Sequence, residues 1–288
     1  MSLVIVRALG LCTVQDLGRP GHMHQAVPPG GALVAERLIA ANRAVRNPDD
    51  APALEILGQL TVRAEGAIDI ATDRAPARAL APGGELAIAS EPRRVTYLAV
   101  RGGIAAPQVL GGRGTLLCAG LGGLVRTGQR FELAGLAEVA PATPAPRPAT
   151  AASRGRATRP RRTDRPDSGP PDADDALDAP IQVIPGPDTD AFAPGAIELL
   201  VTSAYRVLPS SDRVGTRLDG PALLRTGAPE ISRPMVLGAI EVPRDGKPIV
   251  LGPEHPTTGG YPVIAVVARA DLGRLFSVRL GGTVRFTR

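Results

Sequence analysis

The chain has 288 residues, 43% of them hydrophobic but only 2% aromatic and none tryptophan. That is enough for one large or two ordinary domains, with cores built from Val, Leu, Ile and Ala. The net charge of +5 comes almost wholly from arginines scattered singly, with no aromatic platform for bases, which argues against nucleic acid as a partner. No apolar run has the length of a bilayer-spanning helix, and residues 1–20 carry Arg7 and Asp16 where a leader would be apolar. The expectation is a soluble cytoplasmic protein with no membrane partner.

In chain order, the first part predicts short strands at Leu3–Val6, Leu60–Arg63, Ala67–Ala71, Glu85–Ala89, Val95–Val100 and Phe131–Val139, divided by Gly and Pro clusters. One helix interrupts them. Leu33, Arg37, Ala40, Ala41 and Ala44 follow helical spacing, and Asn47-Pro48 stops the run. From 141 to 180 the composition turns to Pro, Ala, Thr, Arg and Asp without periodicity; apolar burial there would not offset the ordering cost of about 1–2 kcal/mol per residue. This segment predicts a disordered linker. Its basic cluster, Arg154–Arg165, is followed at once by Asp167, Asp172, Asp174, Asp175 and Asp178, the pattern of a solvated tether.

The second part predicts strands at Ile181–Ile184, Ile197–Val201, Val236–Val242, Ile249–Leu251, Val263–Val267 and Thr283–Phe286, with a helical turn at Ala270–Leu275. The reading is a mainly β protein with an N-terminal domain over 1–140, a linker over 141–180 and a C-terminal domain over 181–288.

Several chemistries are excluded by one residue. Lys247 is the sole lysine, between Gly246 and Pro248. That context fits neither a biotin-carrying lysine nor a phosphate loop, and no Gly-x-Ser-x-Gly nucleophile elbow is present. Cys12 and Cys118 are too few for a disulfide framework, and two reduced, buried thiols are expected. His22 and His24 would share a face on a strand, but without a third ligand they do not make a metal site; no metal is expected.

Polar turns supply the positive candidates. Thr257, Thr258, Gly259, Gly260 and Tyr261 form a tight turn leading into an apolar strand, where glycine lets backbone approach a ligand and the hydroxyls supply donors. Arg213 and Arg217 have the planar fork that suits carboxylate or phosphate; the bland reading of both motifs is a hairpin with solvated arginines. Gln15, Asp16 and Arg19 sit on one short loop, either as an anion grip oriented by Asp16 or as an Asx turn closed by an ordinary ion pair. Glu55 lies in the apolar run Ala53–Leu57, so it either faces solvent or pairs with an arginine. Ser232, beside Arg233, and Glu230 raise the same question.

Ordered motifs run almost end to end: CTVQDLGRPG from Cys12, VPPGGAL, ALEILG from Ala53, YLAVRGGI from Tyr97, VLGGRGT from Val109, SDRVGTRLDG from Ser211, GAIEVP from Gly238, PIVL from Pro248 and PTTGGYP from Pro256. Together they resemble the KipA family, also called the 5-oxoprolinase C-subunit family, allophanate hydrolase subunit 2 or the biotin-dependent A/B carboxyltransferase domain. Three places depart from its pattern. Relatives usually have Gly-Ala-Met-Asp where Gly31-Ala32-Leu33-Val34 stands, and Asp-x-Gln where Glu254-His255-Pro256 stands. A Gln common before the last turn is replaced around Phe276-Ser277 and Leu280-Gly281.

The resemblance implies two cyclophilin-like β-barrel domains and a subunit inactive by itself. Its partners would be a KipI-like B-type subunit and an A-type subunit of the LamB/YcsF kind, and its substrate a small amide or lactam. The implied reaction is ATP-dependent opening of 5-oxoproline to glutamate, with ATP held across the complex and not by a phosphate loop here. Arg213, Tyr261 and Asp16 are then the catalytic candidates. Gln15, Arg19, Glu55, Arg217, Ser232 and Thr257–Gly260 are the substrate-binding ones. Two other roles are open under the same resemblance: carboxyl transfer to urea or an amide, with a biotin carrier supplied by another chain or domain, and non-catalytic antagonism of a KipI-like inhibitor.

Overall fold

A computed structural model describes residues 1–135, 179–227 and 230–288. The expected linker lies outside the described residues except for Ala179 and Pro180, whose carbonyls accept hydrogen bonds from Arg274 at 3.1 Å each. The chain is mainly β with short helices, as its sequence predicts.

The first part contains β1 (Ser2–Gln15), α1 (Ala35–Ala44), β2 (Ala53–Ala64), β3 (Ile68–Thr72), β4 (Ala75–Leu80), β5 (Glu85–Ala89), β6 (Thr96–Val100) and β7 (Arg130–Glu132). They join in the order β4-β3-β6-β2-β1-β7, with β5 also on β2. The two long strands β1 and β2 pair antiparallel along their whole length, and Gly10 faces Gly58 midway. Both glycines have positive φ, at 85° and 142°. A Cβ on either would collide with a backbone carbonyl of the opposite strand, that of Leu57 or Leu9. This close crossing divides β2: Leu54–Ile56 pair with β6, and Gln59–Arg63 pair with β5. Glycine here is the condition for the bend.

The second part contains β8 (Ile181–Pro185), α2 (Ala196–Thr202), β9 (Ala204–Val207), β10 (Gly215–Asp219), β11 (Arg233–Pro234), β12 (Ala239–Glu241), β13 (Ile249–Leu251), β14 (Thr258–Gly259), β15 (Val263–Val267), α3 (Leu272–Ser277) and β16 (Thr283–Thr287). Seven strands close a barrel in the order β10-β13-β12-β15-β8-β16-β9, while β11 and β14 form a separate ribbon. The expected strand Ile197–Val201 is helical, and α2 buries Ala196 and Leu200 four residues apart. A five-residue apolar run does not distinguish strand from helix by periodicity. Of the expected Phe131–Val139 strand, the described part is strand only to Glu132.

The two parts share a core. One apolar cluster runs from Leu33, Leu38, Ala41 and Tyr97 to Val207, Phe276 and Phe286 inside the barrel. A second, of Leu3, Ile5, Leu54, Ile56, Val62 and Ile70, lies within the first sheet. Helix α1 is tied to the first sheet, where Arg37 reaches Asp73 at 2.6 Å and the Val95 carbonyl at 2.6 Å. Backbone bonds also cross, from Gly30 to Pro253 at 3.0 Å and from Arg94 to Ser277 at 3.0 Å. No described helix is long and apolar enough to cross a membrane.

Candidate functional site

Arg213 sits just before β10 and is 2% exposed. Each of its three guanidinium nitrogens meets a protein acceptor: Nε meets Glu254 at 2.6 Å, Nη1 meets Glu55, and Nη2 meets the Gly31 carbonyl. The other Glu55 oxygen accepts from the Tyr97 hydroxyl at 2.7 Å and from the Leu33 amide at 2.7 Å. The Tyr97 hydroxyl in turn accepts from the Val34 amide at 2.9 Å. The cluster therefore joins β2, β6, the turn before α1, and the barrel. Burial pulls the Arg213 guanidinium down, but Glu55 and Glu254 outweigh it and its pKa is raised, so it stays charged. Burial, then Glu55, pushes the Tyr97 phenol well above its ordinary value.

Of the two readings of Glu55, the arginine pair is the one found. The Arg213 fork, expected to meet an external anion, is taken up by the protein's own carboxylates. Glu254 and Tyr97 are part of this cluster, and sequence reasoning did not single them out. The sequence marks Glu254 only as a departure from the Asp-x-Gln pattern of the resemblance, and Tyr97 is one of three tyrosines, placed in a strand buried throughout.

The Gln15–Arg19 loop lies against the same glycine turns. Asp16 Oδ1 accepts from the Gly18 amide at 2.8 Å, an Asx turn, and its Oδ2 accepts from the Arg113 amide. Arg19 is 1% exposed; it donates to the carbonyls of Gly114 at 2.6 Å and Val109 at 3.3 Å rather than to Asp16. Gln15 donates to Thr13 Oγ1 and to the Thr115 carbonyl, each at 3.1 Å. Two buried polar atoms in this loop have no hydrogen-bond partner: Gln15 Oε1 and Arg19 Nη1. Both border glycine. A Cβ on Gly114 would lie 2.8 Å from Gln15 Oε1, and one on Gly30 would lie 3.4 Å from Arg19 Nη1. Buried polar groups are almost always satisfied, so these two stand out as an acceptor and a donor without a protein partner.

The other expected residues lie elsewhere. Thr258 and Gly259 pair with Pro234 and Arg233 in the β11–β14 ribbon, and the Thr257 carbonyl accepts from the Met235 amide at 3.0 Å. Gly259 leaves room for Met235, whose Cε would be 2.6 Å from a Cβ there. Gly260 lies beside Glu230, which pairs with Arg225 at 2.9 Å. Ser232 is exposed, and Tyr261 is 40% exposed. Arg217 is exposed on β10, and its charge acts on Glu241, whose pKa burial raises. None of these shares a hydrogen bond with the Arg213 cluster. His22 and His24 lie on or beside a short 3-10 turn, and among the described residues no His/Cys/Asp/Glu group is arranged to hold a metal. Of the two thiols expected to be buried, Cys12 is, whereas Cys118, on a short 3-10 turn, is exposed.

Comparison with known proteins gives a consistent result. The family model described as carboxyltransferase domain, subdomain A and B, matches residues 79–288. The 5-oxoprolinase C subunit of Escherichia coli is 32% identical, over 99% of this chain and 90% of that protein. The urea amidolyase of Lachancea kluyveri is 30% identical over 95% of this chain, which covers 16% of the enzyme. The solved structure of a protein named TTHA0988 superposes with a TM-score of 0.79 at 27% identity over the whole chain. The chain spans about half, 55%, of that protein's length.

Proposed function

The chain belongs to the family of carboxyltransferase domains, subdomains A and B, and from that premise we propose that it is the C-type subunit of a 5-oxoprolinase. The observation that carries this reading is the similarity to the 5-oxoprolinase C subunit, 32% identical over 99% of this chain, against 30% over 95% for the urea amidolyase.

Site chemistry agrees with a lactam. A lactam presents a carbonyl acceptor and an N–H donor on one edge, the complement of a free guanidinium nitrogen and a free amide oxygen. In this reading Arg19 Nη1 donates to the lactam oxygen and stabilises the charge that grows there as the carbonyl is attacked. Gln15 Oε1 accepts from the lactam N–H and fixes which face is presented. Asp16 holds the turn through Gly18 and Arg113, and the Arg213–Glu55 pair holds Gly31 against it. In the opening, a water oxygen bonds to the carbonyl carbon, the C–N bond breaks, and the nitrogen takes the proton.

Both atoms are enclosed, so substrate reaches them when the turns at Gly30–Gly31 and Gly111–Gly114 open. We assign that step to docking of a KipI-like B-type subunit, with the LamB/YcsF-like A-type subunit completing the complex. ATP drives the reaction from the partner side. The single lysine does not fit a nucleotide site, because Lys247 Nζ is held by Asp219 at 2.9 Å and the Gly220 carbonyl at 2.7 Å.

The test is reconstitution with each subunit left out in turn. Conversion of 5-oxoproline to glutamate should need this chain, and full turnover without it sinks the reading. A second reading, carboxyl transfer to urea, draws on the 30% identity to urea amidolyase. It predicts instead carboxylation of urea when a biotin carrier is supplied.

A further inference from the structure

We propose that a cavity of about 440 Å³, between the first sheet and the barrel, binds a small organic oxyanion that bridges the two parts. None of its lining residues belongs to the Gln15–Arg19 loop, so the proposal stands apart from the lactam reading. One wall is the Gly10–Gly58 crossing with the turn from Ser90 to Arg94; the other is Ser211 and Asp212 with Arg279 and Leu280.

Charge and hydrogen bonding both point to an anion. Arg93, Arg94 and Arg279 line the cavity against Glu91 and Asp212, which leaves an excess of positive charge. Asp212 is already engaged, its Oδ1 accepting from the Val214 and Gly215 amides at 2.9 and 3.0 Å. Arg94 is 4% exposed. Its Nη1 donates to Thr216 Oγ1 at 2.7 Å and its Nη2 to the Asp212 carbonyl at 2.8 Å, while Nε is buried with no acceptor. Burial lowers the Arg94 guanidinium to about 10, so it is still charged at neutral pH and carries an unmet donor. Arg279 is exposed at the rim, and its side chain makes no hydrogen bond or ion pair among the described residues. A guanidinium fork matches carboxylate and phosphate oxygens alike, and Leu11, Leu57 and Leu280 give a short carbon body an apolar wall. A ligand held between Arg94 and Arg279 touches both parts of the molecule and so stabilises their union.

The experiment titrates the full chain with inorganic phosphate and, separately, with succinate, by calorimetry and by thermal melting. Saturable binding with a rise in Tm is expected for at least one. Phosphate alone identifies a phosphorylated ligand, and succinate alone a carboxylate. Arg279→Ala should weaken binding about tenfold and Arg279→Glu should abolish it, with circular dichroism unchanged. Arg244→Glu, at an exposed arginine away from the cavity, should leave it intact. Saturation by neither probe, undiminished binding in Arg279→Glu, or equal weakening by Arg244→Glu would overturn the proposal.

Discussion

At the scale of single residues, Arg213 decides most. Removing it leaves two carboxylates buried without their cation, and breaking a buried pair in this way costs about 3–5 kcal/mol. Arg213→Met should therefore lower urea-unfolding stability by that order, while Arg213→Lys loses less, because an ammonium keeps the charge but cannot span Glu55, Glu254 and the Gly31 carbonyl together. A loss below about 1 kcal/mol for Arg213→Met would mean that the cluster does not tie the first sheet to the barrel. Cys12 gives a pH test. Burial first, then Glu55, raises its thiol from 9.0 to about 11, so the folded state favours the protonated form. Its contribution is complete below pH 9 and is lost as the pH rises from 9 to 11. Cys12→Ala should flatten stability over that window, and an unchanged slope would refute the assignment. How far these roles were legible varies by residue. A charge within Ala53–Leu57 signals a partner for Glu55 through the cost of burial alone. Nothing local marks Glu254 or Tyr97, because their roles come from contacts with residues 41 and 42 positions away.

At the scale of elements, the β1–β2 crossing is the feature most sensitive to one atom. Gly58→Ala combines a φ of 142° with a Cβ pressed on the Leu9 carbonyl, and should cost about 2–3 kcal/mol. Gly83→Ala is the comparison: its φ is also positive, at 77°, but a Cβ there meets nothing within 4 Å, so strain acts without collision and the loss should be smaller. Equal losses in thermal unfolding would remove the close crossing as the cause. Strands with alternating or β-branched sequence, such as Val263–Val267, were legible in place and length. The helix at Ala196–Thr202 was not, since its apolar run fits either period. The full span of β1 was not either, because Ala8, Gly10 and Thr13 interrupt its apolar pattern and it is pairing with β2 that holds them extended.

At the scale of the whole molecule, the two parts are tied by a common core, by the Arg213 and Arg94 bridges and by backbone bonds across the seam. Sequence periodicity located the mainly β halves but held no sign of this union, which depends on which surfaces meet. The same union gathers turns far apart in the chain, Gln15–Arg19, Gly30–Gly31, Gly112–Thr115 and Pro253–Glu254, into one polar cluster beside α1. The proposed function rests on this cluster: it assigns the lactam to Arg19 and Gln15 in a complex with partner subunits. The most direct measurement is kcat/KM for 5-oxoproline in the reconstituted complex carrying Arg19→Lys, with Tm and co-elution of the subunits measured on the same sample. A fall of roughly a hundredfold or more in kcat/KM, with assembly intact, is the predicted result. Unaltered kcat/KM in a fully assembled Arg19→Lys complex would contradict it.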